Sequence, residues 1–455
     1  MKWVVRSCWL LAWSLWLLLG VGLHHELPRN LGPAVCRIPL APYQNHSAHV
    51  AGFDGPSRVV VAELPANGPK FVAVYNAETG ACINRFPVSN LEWRWTWRDC
   101  ALHHGCFIVN EHEHGGLRTL DLASGIWTTL HPRDVQQFTV HPTEPLIATR
   151  KPTDLRGRRL AVYDLKRHQL VFESKQVLGG ELDTPIFVPG TDKLLLMRST
   201  HDKLTPVFGT RVVVCTITPP GAAPNAELFD GGPPDRGWAT TSHTGRAAFG
   251  AARSGAFEVF DFTQDRVVFA RPQTPPGSQS SPYGATQNPP ALSANGRTVI
   301  GDWPQTLWDI DRGVPLWQAR SFDFVFPDLH RAAAESVGTR FFVLERWSEL
   351  WKRWLPNFQY TTFACRDMRD GSLVYRIPAG SGDGKYNADW SLVVAGDDGS
   401  IYRLPPRVNW LLLALCQAIL ALPLILLWSL LRVRRRRTAQ RQLAGAAQVS
   451  NEHPP

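Results

Sequence analysis

No G-x-S-x-G, no H-E-x-x-H and no phosphate-cradling glycine loop occurs in the 455 residues. The local signatures of the common hydrolases, zinc peptidases and nucleotide-binding enzymes are therefore missing. A basic surplus is also missing where a nucleic acid would need it. Of the formal net charge of +9, residues 1–23 supply +2 and residues 407–455 supply +6, so the long middle carries only about +1. The pI near 9.3 reflects the two ends and predicts no nucleic-acid partner.

Long hydrophobic runs are confined to those ends. Cys8 to Leu23, behind Lys2 and Arg6, reads as a signal peptide or a signal anchor, placing the first unit at residues 1–24. Val408 to Leu431 is long enough to span a bilayer, with Trp410 and Trp428 near its boundaries and Arg432 and Arg434 to Arg437 behind it. Positive charge stays on the cytoplasmic side, so residues 432–455 are expected inside and the middle outside the cell membrane. The polar tail after Arg441 is expected to be disordered. Leu404-Pro405-Pro406-Arg407 is no recognised cleavage motif, so the helix is read as a permanent anchor. The arginine cluster is suited to anionic lipid headgroups.

Of eight cysteines, Cys8 and Cys416 lie in the hydrophobic runs, and Cys36, Cys82, Cys100, Cys106, Cys215 and Cys365 lie in the middle. An oxidising compartment permits disulfides there, and the nearest pair is Cys100 with Cys106, across a strand-turn-strand at His103-His104-Gly105.

The middle repeats. An apolar strand, a polar residue, a turn and a second strand recur around Asn76, Asp121, Asp164, Asp261, Asp309 and Asp367, as in LAVYDLKRHQLVF and TLWDIDRGVPLW. The gaps are 45, 43, 97, 48 and 58 residues, and RVVVCTIT around Cys215 supplies the degenerate unit inside the double gap. A turn and a short strand precede most units, as in HPTEPLIAT from His141 and SANGRTVIG from Ser293. This turn chemistry specifies short antiparallel hairpins.

These signatures resemble WD40-like and quinoprotein-like β-propeller repeats of the divergent bacterial type, over roughly residues 35–406. The resemblance implies an all-β fold with four strands per blade. Third strands fall near Tyr75, Leu120, Tyr163, Val214, Phe260, Trp308, Arg366 and Tyr402, which gives eight blades, with seven as the fallback. AVCRIPLAP from Ala34 resembles the outer strand LVYRIPAG from Leu373 and is expected to close the ring. The Gly-His of standard WD40 repeats is absent. Quinoprotein dehydrogenases carry adjacent cysteines beside their cofactor, and this chain has no adjacent pair, so no cofactor is implied.

Chain entry and exit at the closing blade share one face, which is expected toward the bilayer, with the second-to-third-strand loops pointing away. Those loops are long: Asn110 to Gly116, Arg150 to Arg159, Ser199 to Thr210 and Glu345 to Gln359. In the last, Trp347, Trp351 and Trp354 fall on one face of a helix beside Arg346, Lys352 and Arg353. Three readings stand: a helix docking another protein, a helix folded onto its own blade, or an interfacial membrane helix.

Metal-ligand side chains cluster only around Cys100 and Cys106, where His103, His104, His112 and His114 are weak candidates for a metal. The repeat aspartates sit where a strand meets a turn and are read as structural. Asn45-His46-Ser47 matches a glycosylation sequon. Two functions follow as expectations: a membrane-anchored propeller binding another envelope protein, or an envelope hydrolase or oxidoreductase with its site in the axial channel.

Overall fold

Val59, Val60, Val61 and Ala62 are all fully buried, yet they serve two different cores. Val59 and Val61 pack with Ala73, Val394 and Ile401; Val60 and Ala62 pack with Val72, Phe107 and Leu120. Successive side chains of a strand point to opposite faces, so a strand covered on both sides must be apolar throughout. This accounts for the continuous apolar runs in the repeats.

The computed structural model describes residues 2–38, 48–63, 69–88, 100–111, 116–133, 135–152, 158–174, 185–201, 208–217, 226–228, 236–251, 256–271, 290–301, 306–319, 324–326, 339–346, 361–378, 384–395 and 399–452. Among these residues, eight four-stranded antiparallel sheets follow one another along the chain. Blade one is β2 (Ala48–Phe53), β3 (Arg58–Glu63), β4 (Lys70–Asn76) and β5 (Cys82–Val88). Blade two is β6 (Cys100–His103), β7 (Cys106–Glu111), β8 (Gly116–Asp121) and β9 (Trp127–His131). Blade three is β10 (Gln136–Val140), β11 (Leu146–Pro152), β12 (Arg158–Asp164) and β13 (Gln169–Glu173), and blade four is β14 (Ile186–Val188), β15 (Lys193–His201), β16 (Phe208–Thr216) and β17 (Ala226–Leu228). Blade five is β18 (Arg236–Thr241), β19 (Arg246–Ala251), β20 (Phe257–Asp261) and β21 (Arg266–Arg271), and blade six is β22 (Ala291–Leu292), β23 (Thr298–Gly301), β24 (Thr306–Asp309) and β25 (Val314–Gln318). Blade seven is β26 (Phe324–Phe326), β27 (Arg340–Arg346), β28 (Thr361–Asp367) and β29 (Leu373–Pro378).

Blade eight has only β30 (Gly384–Tyr386), β31 (Leu392–Ala395) and β32 (Ser400–Arg403) of its own, and β1 (Cys36–Arg37) completes it by pairing with β32. The ring is thus an eight-bladed, all-β propeller closed by an N-terminal strand, as the repeat count implied. Closure covers the edge of β32 that the chain's own three strands of this blade would leave unpaired.

The core is correspondingly divided. Eight buried apolar clusters among the described residues fall one to each junction between consecutive blades, from blades one and two (Val60, Phe107) round to blades eight and one (Val394, Val59). Stability is therefore distributed around the ring.

The chain divides into two compact units, residues 31–406 and residues 1–30 with 407–455. In the second, α1 (Lys2–Glu26) packs against α2 (Trp410–Glu452): the Trp16 indole donates to the Gln417 carbonyl (3.1 Å), and Asn30 and Arg407 exchange backbone hydrogen bonds (3.1 and 2.8 Å). Among the described residues, Trp410–Arg441 is the one helix long and apolar enough to cross a membrane. The helix continues beyond Arg441 to Glu452, against the expectation of a disordered tail. Its Ala, Gln and Leu content favours helix, which outweighs the low hydrophobicity.

Candidate functional site

Two regions drew attention in the sequence, and they differ in how the fold uses them. The His103-His104-Gly105 segment is the turn of the blade-two hairpin, with His104 and Gly105 both at positive φ (47° and 74°). That pair of left-handed residues makes the tight two-residue connection suited to a twisted hairpin. It stacks the His103 and His104 rings edge to face, with centroids 4.3 Å apart. Neither ring is free for a ligand on that side, since His103 Nε2–H donates to the Glu144 carbonyl (2.7 Å) and His104 Nε2–H to that of Thr143 (3.2 Å). His112 and His114 lie outside the described residues. No group of three or more His, Cys, Asp or Glu among the described residues is placed to hold a metal ion.

Cys100 and Cys106 are both free thiols. Register explains why: Cys106 lies opposite His103, whereas Cys100 lies opposite Val109, three residues up the strand. Three residues of strand are about 10 Å, beyond the span of a disulfide.

His141 completes a small histidine cluster that the sequence reading had assigned only to a turn. It is buried, and its Nδ1 accepts backbone hydrogen bonds from Thr143 (3.2 Å) and Glu144 (2.9 Å), the same turn that receives His103 and His104. Burial, with the neighbouring imidazoles adding to it, pushes both His103 and His141 down to about 4. They are therefore neutral structural groups at pH 7.

The repeat aspartates behave as turn caps. Asp121 accepts from the backbone of Ala123 (2.9 Å) and Ser124 (2.7 Å), and Asp164 from Lys166 (2.8 Å) and Arg167 (3.0 Å). Asp367 does the same for Arg369, and hydrogen bonds from Arg369 together with the charge of Arg340 hold its carboxyl down at about 2 despite burial.

The blade-seven insertion rises from β27 and β28, whose last described rung pairs Arg346 with Thr361. Trp347, Trp351, Lys352, Arg353 and Trp354 lie outside the described residues. At the root of the insertion, Glu345 is buried beneath two guanidiniums: Arg376 Nε and Nη2 donate to its two oxygens (2.6 and 3.1 Å), and Arg366 Nη2 donates to Oε1 (3.4 Å). Arg366 also lies over the Trp317 ring of blade six, 5.0 Å from its centroid. Sequence reasoning missed this cluster. Its signal was a charge at a strand position that alternation reserves for the core, Arg376 within LVYRIP.

On the channel side, Lys385 of β30 is half-buried and forms no ion pair among the described residues. Burial lowers its pKa, and Cys100 of blade two acts against that shift.

No family model matches the chain, and no curated protein matches it. Solved structures similar to it include the Myceliophteria thermophila Cps50 (Swd1) β-propeller domain, at 10% identity over 67% of this chain and 94% of that one, with a TM-score of 0.40. The Dos1 propeller is similar at 10% identity over 80% and 94%, with a TM-score of 0.45. Kluyveromyces lactis Hsv2p is similar at 10% identity over 73% and 97%, with a TM-score of 0.39. The propeller assignment rests on the strand order and the closing strand.

Proposed function

We propose that this chain is a membrane-anchored, extracytoplasmic propeller that binds another envelope protein through its second-to-third-strand loops. The observation that carries the reading is how the described ring uses its polar groups: aspartates cap turns, buried histidines hold a turn backbone, and Glu345 is neutralised by Arg366 and Arg376. What varies from blade to blade is the length of the second-to-third-strand connection, from four residues in blades two, six and eight to the fourteen between Arg346 and Thr361 in blade seven. The anchor is α2, whose apolar window has a mean hydropathy of 2.5 and is followed by the arginine cluster.

Replacing Trp347, Trp351 and Trp354 by Ala tests this directly. A specific cross-linked partner should be lost while the thermal transition of the propeller is kept; recovery of the same partner in the same yield removes the insertion from the interface.

The alternative, an envelope hydrolase or oxidoreductase with its site in the axial channel, is favoured by Lys385. Lys385 stands on β30, the first strand of blade eight, and burial lowers its pKa. A desolvated ammonium with no ion pair among the described residues is a recognised mark of a ligand site. A small-molecule hit that stabilises the protein and loses that effect in Lys385→Met supports this reading against the first.

A further inference from the structure

Outside the two helices, six large apolar side chains are exposed among the described residues: Val35, Ile83, Ile126, Leu170, Val267 and Val314. They come from six different blades. Each lies in the first two residues of an outer strand or immediately before it: Ile83 in β5, Leu170 in β13, Val267 in β21, Val314 in β25, Ile126 just ahead of β9 and Val35 just ahead of β1. Outer strands all run in the same sense, so all six stand at one side of the ring, the side of the third-to-fourth-strand turns. The far ends of four of these strands finish instead in His131, Glu173, Arg271 and Gln318.

Single exposed apolar residues need no explanation, but scatter would distribute them over all four strands and both ends. Among the described residues they are confined to one end of one strand type. The third strand of blade eight, β32, ends at Arg403 on this same side, and six residues, Leu404 to Asn409, connect it to α2. Six residues span at most about 20 Å.

We infer that this girdle is a lipid-contacting rim, with which the propeller rests on the surface of the bilayer that α2 enters. The proposal rests on the anchored reading of α2 and on the expectation that this face lies toward the bilayer, and it adds the lipid contact and the residues that make it. Isoleucine, leucine and valine side chains at one level can enter the headgroup and acyl boundary while the turn backbone stays hydrated. Charge on these turns is mixed, with Lys166, Arg167, Arg266, Arg312 and Arg369 alongside Glu78, Asp265, Asp311 and Asp370. The contact is therefore apolar and does not require anionic lipid.

The test uses the full chain reconstituted in phosphatidylcholine vesicles, with a photo-crosslinking phenylalanine derivative placed singly at positions 126, 314, 318 and 425. Lipid attachment at 126 and 314 should exceed that at 318 by at least about tenfold, with 425 as the reference for buried α2. The same ratio is expected when phosphatidylglycerol is added. Attachment at 425 but not at 126 or 314 overturns the rim and leaves the anchor standing. Attachment nowhere overturns both. Cross-linking of 126 or 314 to a second copy of the chain makes the girdle a protein interface and also overturns the proposal. Ile126→Ser with Val314→Ser should leave the thermal transition unchanged and reduce lipid attachment from a probe at 170 severalfold; no reduction counts against a shared rim.

Discussion

Cys36 lies opposite Ile401, and this pairing joins the start of the ring to its last blade. Its neighbour Ile38 is fully buried in the cluster shared by blades eight and one, and its backbone N–H is bonded to Gly399 (3.0 Å).

Ile38→Ala should therefore cost as much as a substitution deep in a blade, about 2–5 kcal/mol. Urea unfolding alongside Ile108→Ala checks this. A loss for Ile38→Ala under about 1 kcal/mol means the closing strand contributes little to the ring.

Glu345 and Arg376 form a buried charged pair, so removing one partner strands the other. Glu345→Gln or Arg376→Met alone should destabilise by about 3–5 kcal/mol, whereas the double substitution should cost less than the two singles together. A double-mutant cycle in chemical denaturation measures the coupling, and additive losses would contradict the pairing.

Acid should weaken the propeller in two steps. His103 and His141 titrate near 4 in the folded state, below the 6.5 of an unperturbed histidine. Between those values the unfolded chain binds more protons, so stability is complete above about 6.5 and falls as pH drops toward 4. The carboxylates act lower: Asp367, at about 2 when folded against 3.8, loses its contribution only as pH falls below about 4. His141→Asn, which keeps a side-chain acceptor for the turn, should flatten the melting-temperature slope between pH 6.5 and 4. An unchanged slope assigns the effect elsewhere.

Gly116 and Gly313 both have positive φ, 71° and 67°. A Cβ at Gly116 would collide with the His131 carbonyl oxygen, whereas one at Gly313 would meet nothing within 4 Å. Gly313→Ala should cost about 1–2 kcal/mol, the penalty of the left-handed conformation alone, and Gly116→Ala clearly more. Equal losses in thermal unfolding would show that the blade-two loop root relaxes freely.

The blades were legible because their signals are local. A strand ending in Asp or Asn, followed by a turn, marks a hairpin within a dozen residues, and the positions around Tyr75, Tyr163, Phe260 and Trp308 fall in third strands as that pattern requires. The closing strand was readable from the likeness of CRIP to YRIP. What escaped depends on distance in sequence. Glu345 meets Arg376 across 31 residues, His103 reaches a carbonyl 41 residues on, and the girdle exists only once six outer strands are laid in one sense. The Trp347, Trp351 and Trp354 insertion remains a reading of spacing.

A cysteine introduced as Gln318→Cys in a Cys82→Ser background gives the most direct test of the central claim, because position 318 is exposed at the end of β25 opposite the girdle. In cells with an intact plasma membrane, a membrane-impermeant maleimide should label it, while a cysteine introduced as Arg441→Cys should react only after permeabilisation. Labelling of the Arg441→Cys thiol from outside, or protection of the Gln318→Cys thiol until the membrane is opened, would contradict a propeller held outside the cell by a helix with its arginines inside.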